Sequence, residues 1–144
     1  MQISALSGNV LEEASDVAVL ATSQDETLPD SVAGLLEPGD YTGKLNQTLL
    51  VHPRGAVPAK RVLLVGLGAA DSVGAEQIRQ AAATAIRQVR TLQVASATLG
   101  ILGELTLSPS AVGEALVEGL ELGAYRYLRH QTGLPPDVRF EVEQ

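Results

Sequence analysis

Residues 61–65 read Arg-Val-Leu-Leu-Val, and this short stretch decides the fold class. Apart from its first residue it consists of Val and Leu, a composition typical of a strand that is buried on both faces. A glycine-rich sequence follows the stretch, and an amphipathic pattern comes next. The stretch therefore predicts the central strand of a sheet that is covered by helices.

Four further runs have the length and the composition of strands. They lie at residues 2–6, 17–22, 48–51 and 97–102, and the segment 138–142 is expected to be extended as well. Longer helical patterns separate several of these runs. An alternation of this kind is typical of α/β proteins, so the sequence predicts an α/β fold with helices flanking the sheet.

The first long helix is predicted over residues 75–92. Apolar residues such as Ile78, Ala82 and Val89 recur there at intervals of three or four, which indicates an amphipathic helix packed on the sheet. Ser72 is the candidate N-cap, because its hydroxyl can accept a hydrogen bond from the first turn of the helix. A shorter helix is expected at residues 30–36.

The second long helix is predicted to begin at Ser108, with Pro109 in the first helical position, and to end near His130. It contains three glycines, at positions 113, 119 and 123. Each costs about 1 kcal/mol relative to Ala in a helix interior. The repetition therefore indicates a close approach of the helix backbone to the sheet or to a neighbouring subunit.

Composition excludes several classes of function. The 144 residues suffice for one domain, and the absence of cysteine excludes disulfides, thiolate metal sites and Cys nucleophiles. A net charge of −7 argues against nucleic acid as a partner, and the nearest approach to a basic cluster, Arg79, Arg87 and Arg90, is interpreted as a solvated helix face. No signal peptide and no membrane-spanning run is recognised, so a cytoplasmic protein without a membrane partner is expected.

One glycine-rich stretch could bind a phosphate. Residues 65–71, Val-Gly-Leu-Gly-Ala-Ala-Asp, are interpreted as a tight strand-to-helix turn, with a phosphate-binding loop as the alternative. Asp71 stands where the dinucleotide fingerprint has its third glycine, and its carboxylate would repel a pyrophosphate. The polar loop at residues 37–44 is interpreted as an exposed connection, with a binding loop as the alternative.

The remaining candidates for chemistry are few. His52 and His130 do not share a metal-ligand spacing and are interpreted as structural residues. Glu12, Glu13 and Asp16 are interpreted as solvated surface, because no second cluster completes a metal site. The sequence therefore assigns no catalytic, cofactor-binding or metal-binding residue.

Three stretches, taken in order, resemble the N-terminal domain of the leucyl aminopeptidase (cytosol aminopeptidase) family. Residues 60–68, Lys-Arg-Val-Leu-Leu-Val-Gly-Leu-Gly, resemble its glycine-ended central strand, and residues 79–83, Arg-Gln-Ala-Ala-Ala, fit the helix after it. Residues 118–127, Glu-Gly-Leu-Glu-Leu-Gly-Ala-Tyr-Arg-Tyr, are similar to the helix before the linker to the catalytic domain. The resemblance spans nearly the whole chain.

The resemblance implies a macro-domain-like fold, a three-layer sandwich with a mixed, mostly parallel sheet. It also implies an N-terminal domain over residues 1–134 and the start of a linker over residues 135–144. Peptidase chemistry in this family belongs to the C-terminal domain, where a lysine and carboxylates accompany two divalent metals. No catalytic or metal residue of the family matches this chain, so no cofactor is expected here.

Three hypotheses about function follow. The first is a non-catalytic domain of a cytosolic metallo-aminopeptidase, which acts in oligomer assembly and substrate access. Its expected partners are the catalytic domain of the same protein and, in an oligomer, further copies of the chain. The second is a stand-alone macro-like module that binds ADP-ribose or a related nucleotide. The third is a domain that acts only as a scaffold.

Overall fold

The fold is seen in a computed structural model that describes residues 2–5, 14–24, 26–37, 39–102 and 107–129. The predicted extended segment at 138–142 and the predicted linker at 135–144 lie outside these residues. The described elements, in chain order, are β1 (Gln2–Ala5), β2 (Val17–Ser23), α1 (Asp30–Ala33), β3 (Thr48–Val51), β4 (Arg61–Gly68), α2 (Ala75–Thr91), β5 (Ser96–Ile101) and α3 (Pro109–Arg129). A 3-10 turn at Ala70–Ser72 joins β4 to α2.

The described strands form one mixed sheet in the order β1-β5-β2-β4-β3. β1, β5, β2 and β4 run parallel to one another, whereas β3 pairs antiparallel with β4 and lies at the edge. The stretch that begins at Arg61 does form an inner strand, with β2 and β3 on either side. The predicted α/β fold with a mixed, mostly parallel sheet is therefore confirmed.

Helices cover both faces of the sheet, but unequally. Val17 and Val19 of β2, like Leu63 and Val65 of β4, pack beneath α2 and α3 in the larger core. The alternate residues face the other way, because successive side chains of a strand point to opposite faces. Among these, Leu64 packs in a smaller core covered by α1 and by the connection at residues 52–60.

The starts of the two long helices show one wrong prediction and one confirmed prediction. Ser72 is not the N-cap of α2, because it ends the 3-10 turn and the helix begins only after Gly74, which is its N-cap. The Gly74 backbone N–H donates instead to Gln77 Oε1 at 2.8 Å. At α3, Ser108 Oγ accepts a hydrogen bond from the Ala111 N–H at 3.2 Å, so its predicted capping role is confirmed.

Two glycines of α3 pack against α2, not against the sheet or another subunit. A Cβ placed on Gly119 would lie 2.7 Å from Ala82 Cβ, and one placed on Gly123 would lie 2.9 Å from the Ala83 carbonyl oxygen. The glycines thus let the two helix backbones approach closely. The predicted close approach is confirmed, and its partner is corrected.

The short helix is also corrected. It covers Asp30–Ala33 only, and the chain then turns at Gly34. Leu36, after the turn, packs against the smaller core that contains Val32. Within the described residues, no helix combines the length and the apolar composition needed to cross a bilayer.

Candidate functional site

The carboxyl ends of parallel strands form the edge where open α/β sheets bind ligands. In this chain β2 ends there at Ser23 and β4 at Gly68. Residues 41–47, which we call the closing loop, pack against both strand ends. The candidate functional site is therefore this edge together with the closing loop.

The glycine-rich stretch at residues 65–71 forms the predicted strand-to-helix turn only in its last part, because β4 continues through Gly68 and the 3-10 turn begins at Ala70. Its backbone groups bind the closing loop. The Gly66 N–H donates to the Gln47 carbonyl at 2.8 Å, and the Gly68 N–H donates to the Gly43 carbonyl at 3.0 Å. In return, the Asn46 N–H donates to the Gly66 carbonyl at 3.0 Å. The N–H groups of Gly66 and Gly68 are thus already used within the chain.

Close packing explains why residue 66 is a glycine. A Cβ at this position would lie 2.7 Å from the Gly43 carbonyl oxygen, and it would overlap the Lys44 carbonyl oxygen as well. Gly43 has a matching requirement, since its φ is +82° and a Cβ there would lie 2.6 Å from the Ser23 carbonyl oxygen. The two glycines allow the loop backbone to lie directly against the strand ends.

A glutamine side chain organises the closing loop. Gln47 Oε1 accepts hydrogen bonds from three consecutive backbone N–H groups, those of Thr42, Gly43 and Lys44, at 3.1, 2.9 and 3.2 Å. The Thr42 hydroxyl donates to the same oxygen at 3.0 Å. One side-chain oxygen therefore accepts hydrogen bonds from three of the seven backbone N–H groups of the loop and from one hydroxyl.

The closing loop is also tied to α2. Asn46 adopts a left-handed conformation, with φ of 64°. Its Nδ2 donates to Gln80 Oε1 at 3.0 Å, and its Oδ1 accepts from the Thr84 hydroxyl at 3.2 Å. Both partners belong to α2, so the loop bridges the end of the sheet and the helical layer.

Tyr41 closes the inner side of the edge. Its hydroxyl lies 2.8 Å from the hydroxyl of Thr22, a buried residue near the end of β2. Burial raises the pKa of the Tyr41 phenol, and the hydrogen bond with Thr22 offsets part of that rise. A partly buried hydroxyl pair thus lies near the carboxyl end of β2. Together with the closing loop on the strand ends, this pair does not favour the nucleotide-binding alternative.

Asp16, predicted to be solvated surface, has a structural role. Its Oδ2 accepts from the Ala95 N–H at 2.9 Å and from the Ser96 N–H at 3.3 Å, and its Oδ1 lies 3.4 Å from Lys60 Nζ. The Ala95 hydrogen bond, followed by the interaction with Lys60, holds the pKa of this carboxyl below its usual value although desolvation opposes the shift. The sequence did not reveal this role, because the two backbone partners of Asp16 are about eighty residues away in the chain.

The other candidate residues do not come together. His52 is exposed at the end of β3, whereas Glu12, Glu13 and His130 lie outside the described residues. The prediction that residues 37–44 form an exposed connection is only partly confirmed, because residues 41–44 belong to the closing loop. Across the described part of the chain, no three His, Cys, Asp or Glu side chains could jointly hold a metal ion.

The three arginines of α2 do not form one solvated face. Arg79 pairs with Glu76 and Glu118 at 3.1 Å each, which links α2 to α3. Arg87 donates to the Thr84 hydroxyl, and Arg90 is buried. The prediction for Arg90 is therefore wrong, because it lies on the inner side of the helix together with Val89.

The residues that close the edge were missed by the sequence analysis. The closing loop contains Gly43 and Asn46, two residue types that tolerate positive φ. Their spacing is the sequence signal that could have predicted a tight turn. Gln47 carries no such signal, because its role depends on the conformation of the residues before it. The fold and this edge define an α/β domain whose strand ends are covered by its own loop.

Comparison with protein families identifies the domain further. The family model described as "Cytosol aminopeptidase family, N-terminal domain" matches residues 10–133. The chain belongs to this family. The resemblance stated from residues 60–68, 79–83 and 118–127 is therefore confirmed.

The curated relatives agree. A probable cytosol aminopeptidase of Roseiflexus castenholzii is 41% identical over 146 residues, which covers 100% of this chain and 30% of that protein. A probable cytosol aminopeptidase of a Geobacter species is 35% identical over 156 residues, which covers 100% of this chain and 31% of that protein. The chain thus spans less than a third of the length of these relatives.

Solved structures show the same fold. The bottromycin maturation enzyme BotP aligns with a TM-score of 0.64 and 26% identity, over 89% of this chain and 27% of that protein. A mutant of tomato leucine aminopeptidase aligns with a TM-score of 0.72, over 99% of this chain and 32% of that protein. Its identity is 16%, so this second likeness concerns the fold alone.

Proposed function

We propose that this chain is the non-catalytic N-terminal domain of a cytosolic metallo-aminopeptidase of the leucyl aminopeptidase type. The observation that carries the proposal is the closing loop. It covers the edge where an α/β sheet takes a ligand, and it accepts hydrogen bonds from the backbone N–H groups of Gly66 and Gly68 at that edge. Because its own loop covers the edge where a ligand would bind, we infer that the domain acts by contacting other domains or subunits through its outer surface.

The proposal places the peptidase chemistry in a second domain of the parent protein. The relatives named cytosol aminopeptidases are more than three times as long as the stretch that this chain matches. Their name also supports a cytoplasmic location. The two divalent metals expected of such a reaction would be bound by that second domain, and this chain would contribute no ligand to them.

The roles proposed for the domain are oligomer assembly and control of substrate access. Two large apolar side chains support a contact surface, Leu45 in the closing loop and Leu122 on α3, which are 39% and 45% exposed. Each is isolated, and an isolated exposed leucine is common on protein surfaces. Assembly with a second domain or with other subunits would give both of them a partner.

Light scattering on the product of the complete gene tests the assembly role. We expect a discrete oligomer, and we expect Leu45→Glu or Leu122→Glu to lower its mass, because a buried charge without a partner opposes association. Glu121→Gln, next to Leu122 and also exposed, is the matched control and should leave the mass unchanged. A wild-type monomer, or an oligomer insensitive to both leucine variants, would remove this part of the proposal.

A further inference from the structure

A groove with a volume of about 520 Å³ runs along the outer edge of β3. Leu49, Leu50 and Val51 all line it. Because successive side chains of a strand point to opposite faces, a groove lined by all three follows the edge of the strand. β3 is the last strand in the sheet order, so within the described part of the chain no other strand pairs with this edge.

The groove combines an apolar wall with one group of each charge. Leu35, which is 39% exposed, lines it together with the leucines of β3. Asp40 and Arg54 also line it, and neither takes part in an ion pair within the described residues. Asp40 uses Oδ2 to accept from the Glu37 N–H at 2.9 Å, and this hydrogen bond fixes the orientation of the carboxylate.

The backbone at Arg54 has an uncommon conformation. Its φ is 51°, and Gly55 follows with φ of 93°, so the arginine sits in a tight turn just after β3. Residues other than glycine are uncommon in this left-handed region, and such conformations occur often at binding sites. The turn places Arg54 just beyond the end of the strand whose edge the groove follows.

We propose that this groove binds a short apolar peptide in its extended, zwitterionic form. The peptide main chain would pair with the free edge of β3, which is the β-augmentation mode of peptide recognition. Its apolar side chains would contact Leu35 and the leucines of the strand. Its terminal ammonium would pair with Asp40 and its carboxylate with Arg54, since arginine suits carboxylate recognition.

The size of the groove agrees with this ligand class. Pockets for small ligands span roughly 300–1,000 Å³ and combine apolar side chains with polar groups that fix the orientation. The volume of the groove lies in this range, and its lining is shared between apolar and polar groups, as a zwitterionic peptide with apolar side chains requires. The inference goes beyond the proposed function and does not depend on it, because the groove lies wholly within this chain.

Titration of the isotope-labelled chain with the peptides Leu-Leu and Leu-Gly-Leu, followed by NMR, tests the proposal. We expect saturable shifts of the amide signals of Leu49, Leu50 and Val51 below about 20 mM, the range of a weak site. The same peptides with an acetylated amino group or an amidated carboxyl group should bind at least about fivefold more weakly, because each modification removes one charge pair.

Charge-removing variants locate the ligand. Arg54→Gln and Asp40→Asn should each weaken binding of the free peptides at least about fivefold. Arg87→Gln and Glu121→Gln, on the helical side of the molecule, are the matched controls and should leave binding unchanged. The amide spectrum of each variant shows directly whether it is folded.

Three results would overturn the proposal. They are no saturable shift with either peptide, shifts that cluster away from β3, and equal binding of free and blocked peptides. None of these results bears on whether the parent protein is a peptidase, so failure of the groove and failure of the proposed function remain distinguishable.

Discussion

Replacing Gly66 by alanine tests whether the closing loop packs as described. The added Cβ would lie 2.7 Å from the Gly43 carbonyl oxygen, and the atoms around it are backbone atoms that cannot rotate away. Overpacking of this kind costs about 1–3 kcal/mol. If the loop moves instead, the hydrogen bonds of Gly66 with Asn46 and Gln47 are lost, at about 0.5–1.5 kcal/mol each.

An opposing effect reduces the loss. Alanine restricts the unfolded chain more than glycine does, which returns about 0.4–1 kcal/mol. We therefore expect Gly66→Ala to lower the free energy of unfolding by about 1–2 kcal/mol, a measurable part of the 5–15 kcal/mol of a typical domain. Urea unfolding followed by circular dichroism measures this difference.

The matched control is Gly74→Ala. A Cβ at residue 74 would meet only the end of the flexible Gln77 side chain, at 3.3 Å. We expect this variant to change the free energy of unfolding by less than about 1 kcal/mol in either direction. Equal stability of the two variants would refute the packing argument, because it would show that the closing loop does not contact Gly66 in solution.

Three further predictions concern other parts of the molecule. Leu64→Ala should lower the free energy of unfolding by about 2–5 kcal/mol in urea titrations, because Leu64 is fully buried; a loss below about 1 kcal/mol would contradict its core position. Gln47→Ala should speed amide exchange at Thr42, Gly43 and Lys44 by about tenfold or more, because all three donors lose their acceptor; unchanged exchange would show that Gln47 does not organise the loop. Asp16→Asn should make stability less dependent on acid. The folded-state pKa of Asp16 is lowered, so its contribution is present above the unfolded pKa and is lost as the pH falls from about 5 towards 2; parallel melting curves for both proteins over this range would contradict the assignment.

Local patterns were sufficient for most of the elements. α2 extends from Ala75 to Thr91, within one residue of the prediction, because its apolar period is regular over four turns. Ser108 marks the start of α3 for a similar reason, since capping depends only on residues in the next turn. Such features involve contacts between residues close in sequence, and a sequence pattern records them directly.

Contacts between distant residues account for the errors. The sequence pattern predicts that the strand ends before Gly66 and Gly68, because glycine is disfavoured in strands. In the structure both glycines belong to β4, and the closing loop lies against them. The partner of Gly119 could not be named either, because small residues indicate a close approach without indicating to what. Asp16 was assigned to the surface since Ala95 is remote in the chain.

The proposed function requires that this domain does not itself catalyse peptide hydrolysis. An assay of the purified 144-residue chain with leucine p-nitroanilide in the presence of Mn²⁺ or Zn²⁺, beside the product of the complete gene, tests this requirement. We expect no release of nitroaniline by the chain and clear release by the complete product. Hydrolysis that follows the chain through purification would contradict it.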